Sequence, residues 1–347
     1  MKIKNLVFRV DSGEGIGWGH TMRCFSLAQI FKEKNMQISF ITRKIPNNIS
    51  YFLKENGINV YYLNGEKYSW KNDAIQTKKI IENFDEVDWL IVDNYKLDFK
   101  WEKFLKPFVK KLMVIDDMTL RTHDCSLLLD QNYYEKPKNM YKNFVPKKCK
   151  MLIGPKFALL RSEFYQERKK LKEKNRQMKR IFISFGGSES SEIMKIIDVV
   201  KELDHSKINV DLLLTESSKY LKIKNLFSKF TNITIHHQNF SVVKLMKNAD
   251  LAIGAGGSST WERCCLGLPS IVTVSAKNQL QLTKEIEKKG CIINLGISKK
   301  ITSDDYLNII NNLNKSKLLQ MSKNALKLVD GKGTLRVTKE MLNLSKS

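Results

Sequence analysis

Short apolar runs alternate with stretches of helical spacing along most of this chain, and no other feature restricts its fold as strongly. "NLVFRV" leads into a segment where Cys24, Leu27, Ala28 and Phe31 recur at helical spacing, and "QISFIT", "INVYYL", "DWLIVDNY", "KLMVIDDM" and "CSLLLD" follow. Strands that read as continuous apolar runs are buried on both faces, the mark of a parallel sheet covered by helices. After a lysine-rich stretch at 168–180 the pattern begins again with "RIFISF", a helical "SEIMKIIDVVKEL", "NVDLLLT", "NITIHH" and "ADLAIGAGGSSTWERCCLGLPSIVTV". At 347 residues the chain exceeds what one core usually serves. The expectation is an α/β protein of two Rossmann-like βα domains, residues 1–165 and 166–347, the second ending in C-terminal helices.

Composition narrows the function classes. Apolar residues make up 42% of the chain, yet no run approaches the twenty or so residues of a membrane span. The start "MKIKNLVFRVDSG" is too short in its apolar part for a signal peptide and is broken by Arg9 and Asp11, which predicts a cytoplasmic protein without membrane insertion. Cys24, Cys125, Cys149, Cys264, Cys265 and Cys291 are scattered, with neither disulfide nor zinc spacing. The formal charge of +24 sits in short lysine runs outside any recognisable nucleic-acid module, so it implies attraction to anions, and most of it reads as solvated surface.

Two glycine clusters carry the chemistry. "RVDSGEGIGWGH" follows the first strand and puts Gly17, Trp18, Gly19 and His20 at the start of a helix. A strand, a glycine turn and a helix suit phosphate binding. The second strand "QISFITRK" ends without the acidic residue of a dinucleotide site, and no G-K-[ST] follows the glycines, so neither a nicotinamide cofactor nor a Walker loop is indicated. An imidazole at that helix end is a candidate proton acceptor; the alternative is a histidine that caps the helix or packs in the crevice. The second cluster, "AIGAGGSSTWERCCLGLPSI", places Gly257, Ser258, Ser259 and Thr260 after a strand and Glu262 one turn into a helix. Hydroxyls and N–H groups there suit a diphosphate and the carboxylate suits a ribose, against the alternative of an ordinary Ser/Thr cap. No cluster of acids typical of a Mg²⁺ site is present, since Asp11, Asp116 and Asp117 are too scattered.

Taken in order, "FRVDSGEGIGWGHTMRCFSLA", "VIDD", "LLDQNYY", "GPKFALLRSEF", "ISFGGS" and "AIGAGGSSTWERCCLGLPSI" closely resemble the UDP-sugar hydrolases of pseudaminic acid biosynthesis. That family is similar in turn to the GT-B glycosyltransferases, above all the one that adds N-acetylglucosamine to lipid-linked muramyl peptide. The resemblance implies a GT-B-like fold with two Rossmann-like domains across a deep cleft. It implies a metal-independent enzyme with no cofactor, whose small-molecule partner is UDP-2,4-diacetamido-2,4,6-trideoxy-β-L-altropyranose. Water would attack the anomeric carbon with inversion and release UDP, in a pathway that supplies flagellin glycosylation or cell-surface polysaccharide.

By the same resemblance His20 falls on the catalytic histidine and "GAGGSSTWE" on the UDP site, while Gly186 and Gly187 of "SFGGS" form the loop heading the second domain. Asn278 and Gln279 match a sugar-side pair. Tyr95 matches a family tyrosine, but Asn94 stands where the family has histidine and Lys96 where it has glycine. Asn132 and Arg161 would face the sugar or the water beside His20; the alternative is a turn asparagine and a surface arginine pairing with Glu163. Two other classes stay open: a glycosyltransferase of the same architecture, and a non-catalytic nucleotide-sugar or nucleic-acid binder.

Overall fold

The computed structural model describes residues 3–13, 16–65, 68–118, 121–135, 137, 140–172, 177–186, 189–203, 207–214, 217–237 and 241–346. The chain divides into two compact units, residues 1–161 with 332–347, and residues 162–331.

The first unit alternates strand and helix: β1 Asn5–Val10, α1 Gly19–Lys32, β2 Gln37–Thr42, α2 Asn47–Glu55, β3 Asn59–Tyr62, α3 Trp70–Ile81, β4 Trp89–Asp93, α4 Phe99–Leu105, β5 Lys111–Ile115, β6 Leu127–Asp130 and β7 Lys150–Ile153. All pairings are parallel, in the order β3-β2-β1-β4-β5-β6-β7. Successive side chains of a strand point to opposite faces. Accordingly Leu6, Phe8 and Val10 pack with Phe25, Leu27 and Phe31, whereas Val7 joins Leu90, Val92 and Trp101 on the other face. The order reverses at β1, whose Val10 lies opposite Asp93 of β4. Such a reversal opens a crevice at the carboxyl ends of the strands, the usual ligand position in doubly wound sheets.

The second unit repeats the scheme with α5 Ser162–Lys169, β8 Arg180–Ser184, α6 Glu189–Glu202, β9 Asn209–Leu214, α7 Ser217–Leu226, β10 Ile233–His237, α8 Val242–Asn248, β11 Leu251–Ala255, α9 Ser259–Cys265, β12 Ser270–Val274, α10 Gln279–Lys288, β13 Ile292–Ile297, α11 Ser303–Asn312 and α12 Lys315–Leu328. Its parallel sheet runs β10-β9-β8-β11-β12-β13 and reverses between β8 and β11, where Gly254 lies opposite Ser184. A Cβ on Gly254 would come within 2.3 Å of the Ser184 carbonyl, so this close strand contact requires glycine.

The last helix, α13 Gly333–Leu344, corrects the domain boundaries read from the sequence. It belongs to the first unit, not the second, because Val337 and Met341 enter the first core and α13 packs on α1. Thr334 Oγ1 accepts from the Leu160 amide and donates to its carbonyl, and Trp89 Nε1 donates to Ser345 Oγ at 2.8 Å. Gly333 abuts the Ala158 carbonyl so closely that a Cβ would lie 2.2 Å from it. At the other join the boundary falls ahead of α5, which packs on α8 and α9 of the second unit.

Candidate active site

The loop after β1 folds back on itself before α1 begins. Gly13 and Gly17 both adopt positive φ, at 126° and 80°, and the Gly17 amide donates to the Gly13 carbonyl at 2.7 Å. Side chains other than glycine rarely adopt such backbone angles. Gly19 then opens α1 with His20 second, and Trp18 at the N-cap makes no side-chain cap bond. The imidazole is no cap either. His20 Nδ1 lies 2.6 Å from Asp93 Oδ1 at the end of β4. Because that carboxylate only accepts, Nδ1 is the ring nitrogen that donates, which makes Nε2 the acceptor of the neutral ring.

Asp93 is buried and is also gripped by Arg23, one turn beyond His20. Arg23 Nε donates to Oδ2 and Nη2 to Oδ1, both at 2.6 Å. Burial alone would favour the neutral acid, but the charges of Arg23 and His20 and their hydrogen bonds outweigh it and hold Asp93 well below the ordinary carboxylate range. Arg23 Nη1 reaches on to Asp117 Oδ2 at 2.9 Å, and the Tyr95 hydroxyl donates to the other oxygen of Asp117. The Tyr95 ring stands edge-on to His20 with centroids 4.7 Å apart. Burial, and then the charge of Asp117, keep the Tyr95 phenol protonated. Asn132 Nδ2 donates to the Asp117 carbonyl at 3.2 Å. His20, Tyr95 and Asn132 therefore come together, joined by Arg23 and Asp93, which the motif reading passed over, and by Asp117, which it weighed only as a metal ligand.

Two buried networks steady this set. Asp116 receives His123 Nε2 at 3.0 Å, and the other nitrogen of that ring meets Glu102 at 2.7 Å. Burial opposes a charged imidazole, yet the bonds to Asp116 and Glu102 prevail and push His123 up to about 9. On the other side, Asp11 takes two bonds from Arg9, the Arg43 amide and Asn94 Nδ2 at 2.7 Å. Asn94 thus ties the end of β4 to the glycine loop.

In the second unit Gly257 to Thr260 follow β11, and Glu262 sits in the first turn of α9. Ser258 is the N-cap by position but forms no side-chain cap bond, so the ordinary cap is not what the hydroxyls supply. Thr260 is fully buried and its oxygen accepts from Arg263 at 2.9 Å; Ser258 and Ser259 are half-buried. Gln279 lies beside Gly257, 3.5 Å from where a Cβ would be, and its carbonyl oxygen accepts from the Ser275 amide at 2.9 Å. Asn278 is the N-cap of α10 without a side-chain cap bond. Gly186 ends the strand β8 region with φ of 57°, and Gly187 lies outside the described residues. Arg161 is half-buried at the last position of the first unit before α5. Among the described residues no group of three or more His, Cys, Asp or Glu is placed to hold a metal ion, and no helix is long and apolar enough to cross a membrane.

The family model that matches, over residues 177–332, is described as a protein of unknown function, DUF354. The chain is 28% identical over 288 residues to the UDP-2,4-diacetamido-2,4,6-trideoxy-beta-L-altropyranose hydrolase of Campylobacter jejuni, covering 82% of this chain and 97% of that one. It is 26% identical over 298 residues to a Helicobacter pylori protein named both as a pseudaminic acid cytidylyltransferase and as the same hydrolase. That alignment covers 84% of this chain and 48% of the longer protein. Among solved structures, MurG of Acinetobacter baumannii superposes with a TM-score of 0.68 at 12% identity, covering 98% of this chain and 99% of that one. The fold is therefore GT-B, and the resemblance to the UDP-sugar hydrolases read from the six motifs extends over most of the chain.

Proposed function

We propose that this chain hydrolyses UDP-2,4-diacetamido-2,4,6-trideoxy-β-L-altropyranose, with His20 as the base and the Gly254–Thr260 loop with Glu262 as the seat of UDP. The observation that carries the reading is the Asp93–His20 pair. A carboxylate bonded to Nδ1 fixes the tautomer, leaves Nε2 as the acceptor of the neutral ring and stabilises the imidazolium that forms when a proton arrives.

In the proposed reaction a water oxygen bonds to the anomeric carbon while the bond from that carbon to the diphosphate oxygen breaks. UDP leaves with the electron pair and the water proton passes to His20 Nε2. Attack opposite the leaving group inverts the anomeric centre. Tyr95 and Asn132, anchored through Asp117, would line the sugar side, and Asn278 and Gln279 stand as sugar-side candidates on the resemblance. The clamp on the diphosphate would need no metal, and the enzyme would act in the cytoplasm on a soluble substrate.

Proton NMR of the reaction tests this directly. Free UDP and a free sugar of inverted anomeric configuration should appear without any acceptor. UDP release that requires an added acceptor would make the chain a glycosyltransferase, and binding without release would make it a nucleotide-sugar binder.

A further inference from the structure

Among the described residues Arg9, Arg23 and Arg263 are the buried arginines, and their surroundings differ in kind. Arg9 is paired with Asp11 and Asp73, and Arg23 with Asp93 and Asp117. Arg263 has no carboxylate partner among the described residues. Its Nη2 donates to the Ala255 carbonyl and to Thr260 Oγ1, both at 2.9 Å, and Nη1 reaches Ser259 Oγ at 3.4 Å. Its buried Nε finds no hydrogen-bond partner among the described residues. Burial consequently pulls Arg263 down to about 10, with only through-space help from Cys264 and Glu262, whereas the other two are raised.

The chain makes room for this unpaired cation. A Cβ on Gly254 would stand 2.9 Å from Arg263 Nη1, so the glycine that lets β11 approach β8 also leaves space for the guanidinium. Taking a charge out of water without a counter-charge weakens the fold. A position so costly and so closely fitted needs a compensating role. The atoms that Arg263 holds belong to the end of β11 and the first turn of α9, the loop between which is the proposed seat of UDP.

We propose that Arg263 is a positioning residue that braces the Gly254–Thr260 loop from beneath, and that its missing counter-charge is the diphosphate of the bound nucleotide sugar. This rests on the UDP reading above. Besides its charge, the guanidinium occupies the Ser259 oxygen as an acceptor, which leaves that hydroxyl proton as the donor an anion requires. The unliganded protein then carries strain that ligand binding relieves.

The test uses the full-length chain with R263M, R263Q and R263K, measuring thermal melting and calorimetric binding of UDP and of inorganic pyrophosphate. Without ligand, R263M and R263Q should melt at or above the wild-type temperature, because a buried unpaired charge has been removed. Both should bind UDP and pyrophosphate about tenfold more weakly or worse, the scale of a lost charge-assisted contact, and R263K should recover part of that loss. A merely structural arginine gives the opposite pattern. R263M and R263Q that melt lower or fail to fold overturn the proposal, as does wild-type affinity for both ligands in the variants. Wild-type protein that binds neither ligand refutes the UDP seat itself, which is a separate and distinguishable result.

Discussion

Replacing Asp93 with asparagine is the sharpest perturbation of the proposed catalytic set. Asp93 accepts three bonds of 2.6 Å, one from His20 and two from Arg23. Asparagine has the same shape but one acceptor oxygen, so its amide group must face at least one Arg23 or His20 N–H, donor against donor. Asp117 would be the one carboxylate left to Arg23 among the described residues. Removing one partner of a buried ion pair costs about 3–5 kcal/mol, as the other charge is left behind. For a domain of this size that corresponds to a fall in Tm of roughly 6–20 °C, at about 2–4 °C per kcal/mol. Turnover should fall by about 10²–10⁴-fold in the protein that remains folded, because Nε2 is no longer held as the acceptor. His20→Asn should lose a similar factor in rate yet melt close to wild type, since the Arg23–Asp93 pair survives. The double variant should be no slower than the slower single one, as groups that act as a unit are not additive. The assay is UDP release corrected for folded fraction, beside thermal melts. D93N that melts and turns over like wild type, or rate losses that multiply in the double variant, would refute the dyad.

Further outcomes follow from the same geometry. His123 holds its proton to about 9 against 6.5 for a free side chain, so its stabilising contribution is complete below about 6.5 and is lost as pH rises through 9. Melts between pH 7 and 10 should therefore show a steeper decline for wild type than for H123Q, and parallel curves would contradict the assignment. A methyl on Gly256 would lie 2.2 Å from Thr283 Cγ2, so G256A should lose about 1–3 kcal/mol of stability by overpacking and bind UDP more weakly in calorimetry. Activity should survive EDTA; a loss that Mg²⁺ restores would show that the diphosphate clamp includes a metal.

What was legible in the sequence is what burial writes into a sequence. β1, β2, β4 and β5 are covered on both faces and read as apolar runs, so the doubly wound pattern and its restart at "RIFISF" stand out. The strands that gave little signal are β7 and β13, at sheet edges, with half-exposed or exposed residues at most positions. The place of α13 was hidden for another reason: its amphipathic spacing shows that it packs, while only the contacts of Thr334, Val337 and Met341 show on which unit. His20 was named from its glycine setting, but its partners were not. Arg23 shares its helix face at a spacing of three, and Asp93 ends a strand in "VDNY", yet nothing local says that β1 and β4 are neighbours. That adjacency is a property of the strand order.

The buried arginines also separate the work of the two crevices. Each unit places a glycine loop at the reversal of its strand order, an arrangement open to many chemistries, so the fold shared with MurG decides none of them. In the first unit the reversal is crowded with carboxylates, and every buried arginine there is matched by two of them. Its field has been settled internally, which suits a site that must orient an imidazole and then receive a proton without attracting a second anion. In the second unit the reversal keeps a guanidinium that, among the described residues, is bonded to no carboxylate. In the proposal above, an anion completes that loop. The division predicts that D93N impairs turnover far more than UDP affinity and that R263Q impairs UDP affinity first. Measuring both parameters in both variants decides it: equal losses of affinity in the two would dissolve the distinction between a crevice for proton transfer and a crevice for the diphosphate.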